Sequence, residues 1–177
     1  EENESQNGGA LAILSGGPAV QRNEFLKNSA GQGGAVYATG GSASIYGNIM
    51  GYNASDINGG AYYADSSSDS FLNNVVYQSI SPASGGAALH MNNSGGVNIV
   101  NNTVSYNQCD GISLLQSDSP IYNNILSHNQ GAGVFERDAV SDPNCRYNLF
   151  YDNPTANYMD EGSISLNSES EINSAVN

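Results

Sequence analysis

The sequence predicts an all-β chain wound as a single-stranded parallel β-helix of about six to seven short coils. Three observations carry that reading. A phrase of the form apolar-x-x-Asn-x-apolar-x-x-Asn recurs six times, with Ser79 as its one exception in the last slot. A second phrase beginning with Gly lies between successive copies. The composition favours turns over helices, with 25 Asn, 25 Ser and 21 Gly among 177 residues and no Trp.

The Asn phrases run Val20–Asn28, Ile45–Asn53, Phe71–Ser79, Ile99–Asn107, Ile121–Asn129 and Cys145–Asn153. Their first Asn recurs at intervals of 25, 26, 28, 22 and 24. The phrase never shifts internally while the interval varies, so fixed corners must be joined by variable loops. A unit of this length holds two or three strands of a few residues. None can bury its own apolar face, but stacked units share one core. An amphipathic helical repeat would instead need an apolar stripe at i, i+3, i+4 and i+7. Each added coil advances about 4.8 Å, the ordinary spacing of paired strands.

Stacking predicts columns. Val20, Ile45, Phe71, Ile99, Ile121 and Cys145 form one inner ladder, and Phe25, Met50, Val76, Val104, Leu126 and Phe150 form another. From the Gly phrase, Ala10, Ala35, Ala61, Ala87, Ile112 and Val134 are expected as a third. Alternation then turns Val36, Tyr62, Ala88, Ser113 and Phe135 outward. Asn23, Asn48, Asn74, Asn102, Asn124 and Asn148 form an inward structural ladder. A side-chain amide carries both donor and acceptor and tolerates a left-handed corner. Asn28, Asn53, Asn107, Asn129 and Asn153 form a second ladder, interrupted by Ser79.

The domain is expected over 9–157. Residues 1–8 are an acidic N-terminal tail or the remnant of a preceding coil. Residues 158–177 form an acidic closing segment or cap, with Ile164–Leu166 and Ile172 as its apolar positions. An open strand edge recruits other chains, so further β-helix coils or domains of a longer parent chain are possible partners. The two cysteines fall in different columns and are expected to be free thiols.

Four Lys and Arg against 17 Asp and Glu give a net charge of −13. That balance excludes neutralisation of a nucleic-acid backbone and attraction to an anionic bilayer surface. No apolar window is long enough to insert in a membrane.

The phrase Asn-Asn-x-Val/Ile/Leu-x-x-Asn, followed by Gly-Ile/Val/Ala, resembles the repeat of the right-handed parallel β-helix superfamily. That group includes pectin and pectate lyase-like folds and the repeats of periplasmic copper-site maturation proteins. Gly33-Gly34-Ala35-Val36, paired with Phe25-Leu26-Lys27-Asn28, also resembles repeats of polymorphic outer-membrane adhesins. The resemblance covers roughly residues 8 to 157. It implies a secreted or cell-surface protein, and the scaffold hosts lyases, hydrolases, adhesins and tail spikes alike.

Lyases of the superfamily use acidic calcium ligands and a basic residue that removes the proton α to a uronate. Glu136-Arg137-Asp138 with Asp142 is the cluster here that approaches such a set: Arg137 as base or carboxylate binder, Glu136 beside it, Asp138 and Asp142 as calcium ligands. His128 and Asp152 fall in adjacent coils of one outward column and form a second acid–base pair. Neither matches a family active site. Outward rings offer a binding surface instead, with Tyr52, Tyr62, Tyr106, His128 and Phe135 as candidate contacts. The expectation is therefore a non-catalytic module recognising carbohydrate or a protein receptor through an outward strand face. A calcium-dependent lyase or other carbohydrate-active enzyme acting on an acidic glycan is the alternative, and a structural spacer of a larger exoprotein a third.

Overall fold

A computed structural model describes residues 3–82 and 86–175. The chain winds through three parallel sheets once per coil. The first carries Leu11–Ile13, Val36–Thr39, Tyr62–Asp65, Ala87–Asn92, Asp110–Leu115, Ala132–Glu136 and Ala156–Asp160, in that order. The second carries the first half of each Asn phrase, from Ala19–Gln21 to Cys145–Arg146. The third carries the second half, from Glu24–Leu26 to Leu149–Tyr151. A small sheet of Glu4–Asn7, Ser29–Gln32 and Ala54–Asn58 flanks the early coils. At the far end Ile164–Leu166 adds antiparallel to Ala156–Asp160, and the helix Glu169–Ala175 lays Ile172 on the core. The described residues show no helix long and apolar enough to cross a membrane.

Both predicted apolar ladders of the Asn phrases are in place. Val20, Ile45, Phe71, Ile99, Ile121 and Cys145 are buried in consecutive register, as are Met50, Val76, Val104 and Leu126 between the half-buried Phe25 and Phe150. The first Asn ladder is continuous. The Oδ1 of Asn102 accepts the backbone N–H of Asn74 at 2.8 Å and its Nδ2 at 3.2 Å. The Nδ2 of Asn102 donates back to Phe71 O and forward to Asn124 Oδ1. Each interior rung repeats this pattern, so the buried amides of this ladder are all paired.

The left-handed residue is not the ladder Asn, as the sequence suggested, but the one before it. Arg22, Lys27, Tyr52, Asn73, Asn101, Tyr106, Asn123, His128, Tyr147 and Asp152 all have φ between 51° and 59°. Each immediately precedes a ladder residue. The αL residue turns the chain, and the amide after it ties that turn to the next coil.

The third predicted ladder mixes two columns. The inner column of the first sheet is Leu11, Val36, Tyr62, Leu89, Ile112, Val134 and Tyr158. The conserved-looking Gly occupies the slot two before it in early coils (Gly34, Gly60) but the slot one before it in later ones (Gly111, Gly133). Aligning on Gly therefore slips the register by one, and a one-residue slip turns side chains to the opposite face. Val36 and Tyr62 are fully buried, not outward. Ala88 is buried as well and Ala10 is exposed, whereas Ser113 and Phe135 do fall in the outward column, Ser113 covered there by its neighbours. The outward column is Tyr37, Tyr63, His90, Ser113, Phe135 and Met159.

Ser79 breaks the second ladder. Its backbone N–H still bonds Asn107 Oδ1, but its buried Oγ has no partner. In equivalent rungs the Asn Nδ2 reaches the preceding coil's core carbonyl, as Asn53 does to Phe25 O and Asn129 to Val104 O. Ser79→Asn is therefore expected to restore the missing bonds and raise stability by about 0.5–1.5 kcal/mol per bond regained. Urea unfolding checks this; a lower midpoint in the variant would show that the slot has no room for the amide.

Candidate functional site

The geometry separates the sequence candidates into three places. Tyr52, Tyr106 and His128 stand on the second Asn corner, the two tyrosines exposed and His128 half-buried, each in the αL slot. Tyr106 stacks on His128 with centroids 4.4 Å apart and planes 9° from parallel, and Tyr151 meets His128 edge-on. Tyr77 of the next coil lies over Gly51, where a Cβ would meet its ring, and packs edge-on to Tyr52. Asp152 approaches His128 with Oδ2 at 3.7 Å from Nε2, and two-thirds of the Asp152 side chain is exposed. The pair lies on a stacked column, the Nδ1 of His128 is buried, and among the described residues no polar group bonds that atom.

Tyr62 is removed from the binding candidates. Its ring packs on Phe71 in the core and its OH donates to Asp69 Oδ2 at 2.6 Å. Burial, then the Asp69 charge, holds the phenol well above its usual range.

Phe135 and Glu136 end one strand and Arg137 directly follows it, and the three point different ways. Glu136 occupies the inner column after Leu114, under the C-terminal closing strand. Tyr158 OH donates to its Oε2 at 3.0 Å. Burial first, then a hydrogen bond with the Asp160 carboxyl, pushes Glu136 up to about 8. Arg137 points outward, stacks over Phe135 at 4.1 Å and donates to Ser113 Oγ at 2.6 Å and Asp110 Oδ2 at 3.0 Å. Burial raises Asp110 and lowers Arg137, against their mutual attraction and the Ala132 N–H bonded to Asp110. Together with Gln108, Gln130 and Thr155 they line a cleft of about 440 Å³. Arg137 is thus committed to two partners and is not poised as a base. His90 neighbours this group, buried; burial and then the Arg137 charge push it down to about 3.

The calcium expectation does not fit the donors. Both Asp138 oxygens face the Gln116 N–H, and Oδ1 also takes the Ser141 N–H and hydroxyl. Burial is the largest single effect and raises its carboxyl, but the bonds from Ser141, Gln116 and Val140 together hold it below the usual range. Asp142 gives its own N–H to Asp118. Among the described residues no three His, Cys, Asp or Glu side chains converge on a metal position. Asp138 is instead a brace at the third corner, where Ser67, Ser94, Ser117 and Ser141 form a hydroxyl ladder through bonds of 2.9–3.1 Å. The sequence reading missed this ladder. Its signal was a serine recurring on the far side of each Gly phrase.

Both thiols are buried and free. Burial pushes Cys109 up strongly and Cys145 to about 12, so neither is a nucleophile near neutral pH.

The reading along single columns also missed a feature of the whole face. In the four middle coils, residues 44–53, 70–79, 98–107 and 121–130 contain no Asp, Glu, Lys or Arg. These segments supply the four middle strands of the second and third sheets and the Asn corners between them. Meanwhile Asp65, Asp110, Glu136 and Asp138 lie on or beside the first sheet, Asp56 on the small flanking sheet, and Asp69, Asp118 and Asp142 in the connections. A protein of net charge −13 thus presents one charge-free side. Its third sheet exposes an apolar stripe, Ile49, Val75, Ile125 and Leu149, interrupted by Thr103. Stacked Tyr and His edges run along its second corner. This stripe was present in the sequence as the residue directly after each first-ladder Asn.

The sheets and their corners together define a β-solenoid of stacked coils. The chain belongs to the right-handed β-helix region family, whose profile matches residues 34–177. No curated protein and no solved structure matches it.

Glu136 carries a pH prediction. It ionises near 4.5 when unfolded and near 8 when folded, so the folded state holds the extra proton between these values and stability falls as pH rises through them. The contribution is fully present below about pH 4.5 and lost above about 8. Glu136→Gln is expected to flatten that decline, with melting temperatures compared at pH 5 and 8.5. Parallel pH profiles for the two proteins would place the Glu136 carboxylate in contact with water.

Proposed function

We propose that this chain is a non-catalytic recognition module, exported or displayed at a cell surface, whose charge-free face binds uncharged carbohydrate. The observation that supports this reading is the segregation of charge: in four stacked coils the second- and third-sheet segments carry no Asp, Glu, Lys or Arg, on a strongly acidic molecule. Such a face repels neither neutral ligands nor apolar ones, whereas the rest of the surface opposes polyanions. An acidic glycan, the substrate of the lyase reading, is disfavoured on the same ground.

The chemistry of the face suits a neutral sugar polymer. Ile49, Val75 and Ile125 offer an apolar stripe for the C–H faces of pyranose rings. Thr103, Ser105, Ser127 and Gln78 beside it offer hydroxyls and amides. Because Tyr106 and His128 stack on each other, they turn ring edges outward, which favours an extended chain lying across several coils over a single sugar capped by one ring. The same stripe favours a protein receptor as the second reading, since exposed β-branched side chains in a row also mark protein contacts.

Binding to arrayed neutral and acidic polysaccharides, followed by calorimetry, tests the proposal. Neutral polymers should bind with little dependence on salt, and Val75→Asp with Ile125→Asp should weaken binding at least tenfold without changing the fold. Binding confined to acidic polymers, or unaffected by the paired substitutions, would refute it. Retention only on protein of a cell surface, lost with the same substitutions, would support the receptor reading.

A further inference from the structure

A second inner column of the first sheet changes character at its last two positions. In consecutive register it runs Ile13, Ala38, Ala64, Met91, Leu114 and Glu136. Phe135 pairs with Met159, so Asp160 stands next in the column, directly after Glu136. Buried apolar side chains are thus followed by two stacked carboxyls, Glu136 buried and Asp160 half-buried. Neighbours in adjacent paired strands lie about 4.8 Å apart. Two carboxylates so close in a largely dry site repel each other, and one of them keeps its proton.

The same place seats the closing hairpin. Ala156–Asp160 turns through 161–163 into Ile164–Leu166, with Ile164 paired to Asp160 and Ser163 N–H bonded to Asp160 O. A Cβ on Gly162 would lie 3.6–3.9 Å from the Phe135 ring and the carbonyls of Arg137 and Glu136, so the turn rests on the end of the preceding coil's strand. Every titratable side chain that faces Glu136 there is an acid. Tyr158 OH donates to it at 3.0 Å, the Asp160 carboxyl shares a hydrogen bond with it, and the Cys145 thiol feels its charge. The backbone of Glu161 bonds it as well. The neighbouring cation, Arg137, is turned outward to Asp110 and Ser113 and does not neutralise the pair.

We propose that Glu136 and Asp160 form a proton-held latch: the shared proton seats the closing hairpin on the last coil, and its loss frees Ile164–Leu166 and the turn before it while the coils beneath stay wound. Opening admits water to Glu136, which then ionises near its ordinary value of 4.5; in the closed latch it keeps its proton up to about 8. Closing therefore takes up one proton, and opening returns it to solvent. Opening becomes easier as pH rises through that window and levels off above it. It leaves the edge of Ala156–Asp160 unpaired, the kind of edge that another strand can join. The coils beneath have no such switch, because the same column is apolar in them and the amide ladder does not titrate. The device is independent of what the charge-free face binds.

Hydrogen exchange of the whole chain at pH 5 and pH 8, corrected for the chemical exchange rate, tests the latch. Amides of Ile164–Leu166 and of the turn are expected to exchange ahead of those in Asp110–Leu115 at both pH values. Their corrected rate should rise about tenfold or more from the lower pH to the higher. Glu136→Gln, and Glu136→Leu, which continues the apolar column, should abolish that rise. Asp160→Asn leaves Glu136 in place and removes the second acid, so it should reduce the rise. Equal corrected rates at the two pH values would overturn the proposal, as would hairpin amides that exchange no faster than those of Asp110–Leu115. A rise that survives both Glu136 substitutions would assign the proton elsewhere, and one untouched by Asp160→Asn would refute the pair.

Discussion

One interaction governs this molecule: the buried side-chain amide that links each corner to the corner below it. A strand of three residues has too few ladder bonds to hold its own position, and a coil built from such strands has little to fix its bends. The amide closes the bend from inside. At Asn48, Asn74, Asn102 and Asn124 the Oδ1 accepts two N–H groups of the preceding rung and the Nδ2 donates in both directions. The polar groups that a sharp turn would otherwise strand in the core are thereby used to register one coil on the next. Burying them unpaired would cost about 1–3 kcal/mol each.

This constraint also shapes the outer surface. The residue before each ladder amide must adopt the left-handed conformation, an uncommon one for bulky side chains. It is filled by Tyr52, Tyr106, His128 and Tyr147 as readily as by Asn. The conformation projects these side chains outward at the corner, where they stack from coil to coil. The apolar stripe arises from the same local geometry, because a three-residue strand that buries its centre must expose both ends. The charge-free face is then a matter of what the sequence places in those exposed slots. In the four middle coils it places no ion.

Much of this was legible in the chain because a ladder Asn admits no register error. The Asn phrase keeps a fixed internal spacing, so the inner ladders and both amide columns follow from it directly. The Gly phrase misled because its Gly marks a close backbone approach and not a fixed slot. Gly34 and Gly60 sit two residues before the inner column, Gly111 and Gly133 one, and the slip placed Tyr62 outside when it is in the core. The serine ladder was hidden by composition, since 25 serines offer many spacings and only contact separates Ser67, Ser94, Ser117 and Ser141 from the rest. The partnership of Arg137 with Asp110 spans 27 residues and depends on loop lengths that no local pattern specifies.

The most direct test of the amide ladder is the unfolding free energy of Asn102→Ala set against Tyr106→Ala. The first removes an amide bonded to the coils on both sides; the second removes an exposed ring from the corner four residues later. The ladder account predicts a loss of about 1–3 kcal/mol or more for Asn102→Ala, and a clearly smaller one for Tyr106→Ala. It also predicts that Asn102→Asp, which forces a carboxyl group into the buried slot, destabilises the protein. Equal and negligible losses for the two alanine variants would contradict it.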